Sequence, residues 1–271
     1  MPDLVDLTDP TDSRLEAFRD VRERDLAREG AFIAEGTVVL DQLFASRAFR
    51  PVSLLVLRNR LAGLMPRLSH LAPDVPVYVA EQDVFDGIAG FHVHRGVLAH
   101  AVRRAPERPI EARLAEIAAS GGTVVAALGL SNHDNMGALF RNAAAFGAGA
   151  VLLDDRACDP LYRKAIRVSV GTVLTLPFHR FARVGDLFSA LAAAGFRTLA
   201  LSPAGRTRLQ ALAPDGATAL VLGTEGEGLP PALLSRHETL AIDMAPGLDS
   251  LNVATTAAIV LHHLYCGRRS G

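Results

Sequence analysis

The 271-residue sequence predicts an α/β protein built in two parts, residues 1–106 and 107–271. Three observations carry this. Short apolar runs alternate with stretches of helical periodicity along nearly the whole chain, the pattern of an α/β unit. The alternation is interrupted by Arg103-Arg104-Ala105-Pro106-Glu107-Arg108-Pro109, which has two prolines, mixed charge and no periodic apolar residue. With 49% apolar residues the chain can fill a substantial core, and its length suits one large domain or two smaller ones at roughly 100–200 residues each.

The first element is a helix. Ser13-Arg14-Leu15-Glu16 has the form of a capping box, and Leu15, Phe18, Val21 and Leu26 follow at helical spacing up to Gly30. Strands are then expected at 31–35, 52–57, 75–80 and 96–102, separated by helices at 37–46, 60–71 and 82–89. Beyond the linker a helix at 110–119 leads to a strand at 123–130, a helix at 135–146 and a strand at 150–155. A helix near 160–170, a strand at 172–178 and a helix at 184–194 come next. Strands at 197–202, 218–223 and 239–243, a helix at 230–235 and a last helix at 250–265 complete the pattern. No internal repeat interrupts it.

Composition narrows the function. No apolar run reaches the roughly 18–20 residues of a membrane helix, and the N-terminus is acidic where a secretory signal is basic, so a cytoplasmic protein with no membrane partner is expected. Two cysteines, Cys158 and Cys266, supply neither a disulfide framework nor a Cys-rich metal site. His92 and His94 alternate along a possible strand, but no third ligand is identifiable and no metal is expected. The net charge of −1 is not that of a non-specific nucleic-acid binder. There is no G-x-G-x-x-G string and no G-x-S-x-G elbow, and the single lysine, Lys164, follows Arg163 and not the glycine a Walker loop requires.

Three segments ask for more than folding. Leu130 to Ala148 runs from an apolar strand through a polar loop, where Asn132 or Asp134 can cap a helix carrying Asn135 and Arg141. Leu220 to Pro230 is a strand that ends in a loop with three glycines and two acids, able to expose backbone groups to a ligand. Ile242 to Leu264 passes through Pro246-Gly247 into an apolar helix whose start holds Ser250, a natural cap, and Asn252, which helix propensity does not explain. Each has an ordinary structural explanation when taken alone.

Taken together they resemble the SpoU/TrmH family of RNA ribose 2′-O-methyltransferases. The family's N-P-x-N-x-G-A-x-x-R motif appears as Asn132 to Arg141, with His133 in place of proline. Its L-G-x-E-x-x-G-L motif is Leu222 to Leu229, and its S-L-N-V motif is Ser250 to Val253. More loosely, residues 31–36 and 94–99 resemble the small substrate-binding domain, similar to a ribosomal-protein RNA-binding fold, that many members carry.

The resemblance implies a parallel-sheet C-terminal domain of the SPOUT type, closed by a trefoil knot that periodicity alone would never predict. It implies S-adenosylmethionine as methyl donor, held mainly through backbone groups at Leu222, Gly223, Ile242, Met244 and Leu251. It assigns Arg141, Asn135, Glu225, Ser250 and Asn252 to the catalytic site, Arg141 either as base or as electrostatic clamp. A guanidinium with a pKa above about 12 is a poor base, so the clamp is the better reading. Arg163, Lys164 and Arg167 are candidate RNA contacts; a solvated helix face explains them equally well. A homodimer formed through the knot domain is implied, and ribosomal RNA is expected as substrate ahead of transfer RNA. A non-catalytic RNA-binding protein of the same fold and a base-nitrogen methyltransferase remain the rivals; S-L-N argues against the second.

Overall fold

The computed structural model describes residues 2–19, 26, 30–89, 96–104 and 108–270. Much of the first expected helix beyond residue 19, His92, His94 and the middle of the linker lie outside the described residues. Two compact units result: residues 1–107 together with 161–175, and residues 108–160 together with 176–271.

The first unit carries strands β1 (Asp3–Asp6), β2 (Ala31–Glu35), β3 (Phe49–Leu57), β4 (Pro76–Ala80) and β5 (Val97–Arg103). Its helices are α1 (Thr37–Ala45), α2 (Arg58–Leu68) and α3 (Gln82–Ala89), preceded by a 3-10 helix at Ser13–Phe18. The sheet runs β1-β4-β3-β5-β2 and is mixed: β1, β4 and β3 are parallel, while β5 is antiparallel to β3 and β2. Leu15 and Phe18 of the 3-10 helix and Phe85 and Ile88 of α3 pack with Ile33, Leu55 and Tyr78. Every residue of β2 is buried, as expected of a strand covered on both faces.

Part of that cover is the segment 161–175, which carries α6 (Arg163–Val168) and a 3-10 turn, Thr172–Leu174. Gly171 lies in the left-handed region at φ +85°, and a Cβ there would come within 2.9 Å of the Gln42 side chain and 3.2 Å of the Val39 backbone on α1. Glycine is required by both the turn and the close approach. The Ser46 hydroxyl donates to the Leu174 carbonyl at 2.5 Å, tying the segment to the end of α1.

In the second unit seven strands form one parallel sheet, in the order β10-β12-β9-β11-β6-β7-β8. They are β6 (Thr123–Ala127), β7 (Ala150–Leu153), β8 (Phe178–Arg180), β9 (Arg197–Leu201), β10 (Thr207–Arg208), β11 (Thr218–Leu222) and β12 (Glu238–Ala241). Helices α4 (Ile110–Ala119), α5 (His133–Ala145), α7 (Val184–Ala193), α8 (Pro231–Leu234) and α9 (Val253–Ser270) accompany them. Ile110 and Leu114 of α4 and Leu187 and Leu191 of α7 pack on Val124, Ala126, Ala219 and Val221. Residues 125 and 127 point the other way by strand alternation. Helices α5 and α9 pack together, and the Asn142 side chain donates to the Ala254 carbonyl at 2.9 Å. From β6 the chain steps outward to β7 and β8, then crosses to β9 on the far side, and β11 enters between β9 and β6. This reversal at β6 and β11 is where an open α/β sheet offers a crevice at its carboxyl edge.

Four expectations need correction. Asp12, not Ser13, caps the first element: its carboxylate accepts the Arg14 backbone N–H at 2.9 Å and the Arg14 guanidinium at 2.9 and 2.6 Å. Charge-assisted bonds of that kind outcompete a neutral hydroxyl. The strand expected at 172–178 is a 3-10 turn followed by β8, because the Gly171 turn coils the chain and Pro177 has no N–H to donate. The last helix starts at Val253, three residues later than expected. Edge strands β1 and β10 went unpredicted, being short and largely exposed.

Candidate active site

The carboxyl ends of β9, β11 and β12 open on a cavity of about 570 Å³, lined by residues 201–203, 222–228, 240, 242, 244 and 249–253 with Asn135 and Thr256. That is within the roughly 300–1,000 Å³ range of small-molecule and cofactor sites. Leu201, Leu222, Leu240, Ile242, Met244 and Leu251 supply apolar wall. All five residues expected to hold the cofactor therefore line one cavity. The backbone N–H groups of Met244 and Leu251 make no hydrogen bond to another described residue.

Gly223 explains how the loop after β11 closes. A Cβ there would collide with the Gly228 carbonyl group and the Leu229 nitrogen, so the loop returns on the backbone of the strand exit itself. Thr224 donates its N–H to the Gly228 carbonyl at 3.3 Å, and Gly228 sits at φ +70°. Glycine is needed at both ends of this loop. The close approach leaves Glu225 at its outer tip.

Glu225 anchors a relay of side chains. Its carboxylate accepts from the Asn132 N–H at 3.2 Å, the Ser131 N–H at 3.5 Å and the Asn135 side-chain amide at 3.1 Å. Burial pushes this carboxyl up, but hydrogen bonds from the Asn135 side chain and the backbone of Glu225, Asn132 and Ser131 outweigh it and leave it below its ordinary value. Asn135 in turn accepts, through Oδ1, from Asn252 Nδ2 at 2.8 Å. Asn252 Oδ1 accepts the N–H groups of Ala254 and Thr255 at 2.9 and 3.1 Å. Asn252 is therefore the cap of α9, and Ser250, the expected cap, lies exposed in the preceding loop on the cavity wall. At the other end Asn132 caps α5, accepting from Asp134 and Asn135 N–H at 2.7 and 3.3 Å.

The direction of the relay is dictated by chemistry. An ionised carboxylate only accepts, so the Asn135 nitrogen must face Glu225 and its oxygen must face Asn252. Asn252 must then donate with its nitrogen and cap with its oxygen. Each amide keeps one N–H unused by the relay beside the cavity.

Arg141 lies six residues along α5 from Asn135, roughly 9 Å at 1.5 Å per residue. It is exposed, does not line the cavity and makes no hydrogen bond or ion pair to another described residue. Arg163, Lys164 and Arg167 lie on α6, in the segment grouped with the first unit, and Lys164 and Arg167 are exposed.

Two positioning residues escaped the sequence reading. Asp154, buried at the end of β7, accepts the N–H groups of Gly129 and Ala157, both at 2.9 Å. Arg180 on β8 donates to the carbonyls of Asp154, Ala157 and Cys158 at 2.6, 2.8 and 3.1 Å. Cys158 N–H donates to Leu130 at 2.8 Å, so this pair fixes the loop that leads into Asn132. The only available signal was a pair of acids, Asp154-Asp155, directly after an apolar strand. Burial, reinforced by the Glu225 charge and only partly offset by Arg180, pushes the Cys158 thiol up to about 11. Among the described residues no group of three His, Cys, Asp or Glu side chains can hold a metal ion, and no helix is long and apolar enough to cross a membrane.

Solved SpoU-type RNA methyltransferases share this fold, a parallel sheet with a cavity at its carboxyl edge. An rRNA methyltransferase of Sinorhizobium meliloti with bound AdoMet superposes with a TM-score of 0.82 at 23% identity, over 98% of each chain. The SpoU methyltransferase AviRb of Streptomyces viridochromogenes superposes with a TM-score of 0.81 at 20% identity, over 96% of this chain and 99% of its own. The model of the SpoU rRNA Methylase family matches residues 122–262. A Mycobacterium bovis protein described as an uncharacterized tRNA/rRNA methyltransferase is 40% identical over 96% of this chain and 91% of its own length. The chain belongs to the SpoU family of RNA methyltransferases.

Proposed function

We propose that the protein methylates a ribose 2′-hydroxyl of large-subunit (23S) ribosomal RNA with S-adenosylmethionine, as a cytoplasmic homodimer joined through its knotted C-terminal domain. The observation that carries this reading is the Glu225–Asn135–Asn252 relay on the wall of an apolar cavity, the three family motifs meeting in one place. The cavity fits the cofactor on its own features. It has apolar wall for an adenine ring, an entrance loop held at Gly223 by direct backbone contact, and the N–H groups of Met244 and Leu251, which have no partner among the described residues. The fold relatives with bound AdoMet add support.

When bound, the cofactor supplies an electrophilic methyl group on a sulfonium. The protein's own contribution is to place the attacking hydroxyl in line and to stabilise the charge that develops on its oxygen. Asn135 and Asn252 each keep an N–H for the ribose. Arg141, with its fork unengaged by any described residue, is suited to grip a phosphate of the target strand and to stabilise the emerging alkoxide. Ser250 and Glu225 shape the cavity mouth, and Glu225 fixes the polarity of both amides. Arg163, Lys164 and Arg167 contact phosphates further along the RNA. The S. meliloti relative's description as an rRNA methyltransferase favours ribosomal over transfer RNA.

The test is transfer of label from S-adenosylmethionine to separate unmodified transcripts of large-subunit ribosomal RNA and pooled transfer RNA. Label in the ribosomal transcript is expected. Label confined to transfer RNA would overturn the substrate assignment. No label in either, from protein that binds the cofactor, would favour a binding protein of the same fold.

A further inference from the structure

We propose that the N-terminal unit holds a second binding site, a cleft that takes a single nucleotide, its base on an apolar floor and its phosphate on Arg50 and Arg104. The cleft lies where the end of α1, the start of β3 and the loop between α2 and β4 meet, and has a volume of about 250 Å³. That is below the roughly 300–1,000 Å³ of sites for drug-sized ligands, which limits its occupant to one small flat group. The floor is apolar: Leu43 is buried, and Phe44, Pro51 and Leu71 are half-buried. Bases stack on such surfaces without regard to sequence, because each has a flat π-face.

The rim is cationic. Phe49 pairs with Arg103 and Arg50 with Val102 across β3 and β5, so Arg50 and Arg104 fall on the same face as diagonal neighbours. Such positions lie roughly 7–8 Å apart, a span a phosphate can bridge between two long side chains. Arg104 is already oriented: its Nε donates to the Phe49 carbonyl at 3.0 Å, and its two terminal nitrogens make no bond to a described residue. Arg50 is exposed and has no partner among the described residues. Two arginine forks facing one anion give geometric as well as electrostatic recognition. His70 adds a donor, and Asp74, the one acid among the described lining residues, can accept an N–H from a base edge.

A nucleotide with this chemistry has two sources, an unstacked residue of an RNA strand or a free mononucleotide. We assign the first, which rests on the RNA reading above; the cleft's chemistry does not depend on it. The probes are a fluorescein-labelled single-stranded RNA decamer, with 5′-AMP and 5′-GMP as competitors, titrated against the full chain over a range of salt. Wild type is expected to bind the decamer. Arg50→Gln and Arg104→Gln should each weaken binding about tenfold, and the slope of log K against log salt should fall by up to about 0.7, the value for the one phosphate they share. Phe44→Ala should weaken binding about tenfold with the slope unchanged.

Arg50→Gln removes no side-chain hydrogen bond among the described residues, so an unchanged thermal midpoint in that variant separates a binding defect from a folding defect. Displacement of the decamer by micromolar mononucleotide would keep the cleft and assign it a free ligand. Wild-type affinity and salt slope in all three variants, with methylation by wild type intact, would overturn the cleft and leave the proposed function standing. Loss of decamer binding in Arg50→Gln, with no methylation by wild type, would uphold the cleft and overturn the function.

Discussion

Replacing Asn252 with aspartate or alanine separates its two duties. Its Oδ1 caps α9 through two N–H groups, and its Nδ2 donates to Asn135. Asn252→Ala removes both. The cap is worth about 1 kcal/mol, and the exposed hydrogen bond to Asn135 about 0.5–1 kcal/mol. The expected loss is about 1.5–2 kcal/mol, or roughly 3–8 °C in the unfolding midpoint of a domain of this size. Asn252→Asp keeps the cap and adds a negative charge at a helix N-terminus, worth about 0.3–1 kcal/mol. It has no proton to give Asn135, whose amide then stands between two carboxylates, each needing its nitrogen. The aspartate variant should stay within about 2 °C of wild type. Losing an orienting bond of that size costs about two- to fivefold in turnover, and both variants should show it. Thermal unfolding by circular dichroism and methyl transfer at saturating cofactor read the two quantities separately. Wild-type turnover in Asn252→Asp would refute the relay, and an unchanged midpoint in Asn252→Ala would refute the cap.

Other outcomes follow from the same geometry. Arg141→Lys should lose most methyl transfer at unchanged cofactor affinity, since a point charge does not replace a planar fork; calorimetry and a single-turnover assay check the two halves. Gly223→Ala should abolish cofactor binding by calorimetry, because its methyl group has no space against the Gly228 carbonyl. The Glu225 carboxyl sits below its ordinary value of 4.5, so its contribution is complete above that value and is lost as the pH falls through the lower, folded one. The midpoint difference between wild type and Glu225→Gln should therefore be constant from about pH 6 to 8 and shrink below about pH 4.5. With its thiol pushed up to about 11, Cys158 should resist iodoacetamide at pH 8 while exposed Cys266 reacts, as peptide mapping would report.

The sequence displayed those parts of the fold that local chemistry decides. Helix α4 starts after Pro109 and ends before Gly121-Gly122, and the structure places it at the expected Ile110–Ala119. Strand β11 is fully buried and apolar after Thr218, and reads as a buried strand. The order of the sheet was not legible from periodicity, because parallel strands joined by crossovers carry no mark of which neighbour they will take. Nor was the grouping of 161–175 with the first unit, which depends on Gly171 meeting α1 and on a single hydroxyl at Ser46.

The site was visible as three loops in which polar residues and glycines follow apolar strands. Their convergence was not, since Asn135 and Asn252 are 117 positions apart. Asn252 looked out of place inside a helix because the helix was expected to begin at residue 250; as a cap it conforms to propensity. Asp154 and Arg180 had no spacing signature, as their partners are backbone atoms.

The central claim is chemical: the methyl group goes to a ribose oxygen. RNA labelled by the protein from tritiated S-adenosylmethionine should be hydrolysed completely with alkali and the products separated by charge. A blocked 2′-hydroxyl prevents cleavage at its own phosphodiester, so the account predicts label in alkali-resistant dinucleotides. Label recovered only in mononucleotides would place the methyl on a base and contradict it.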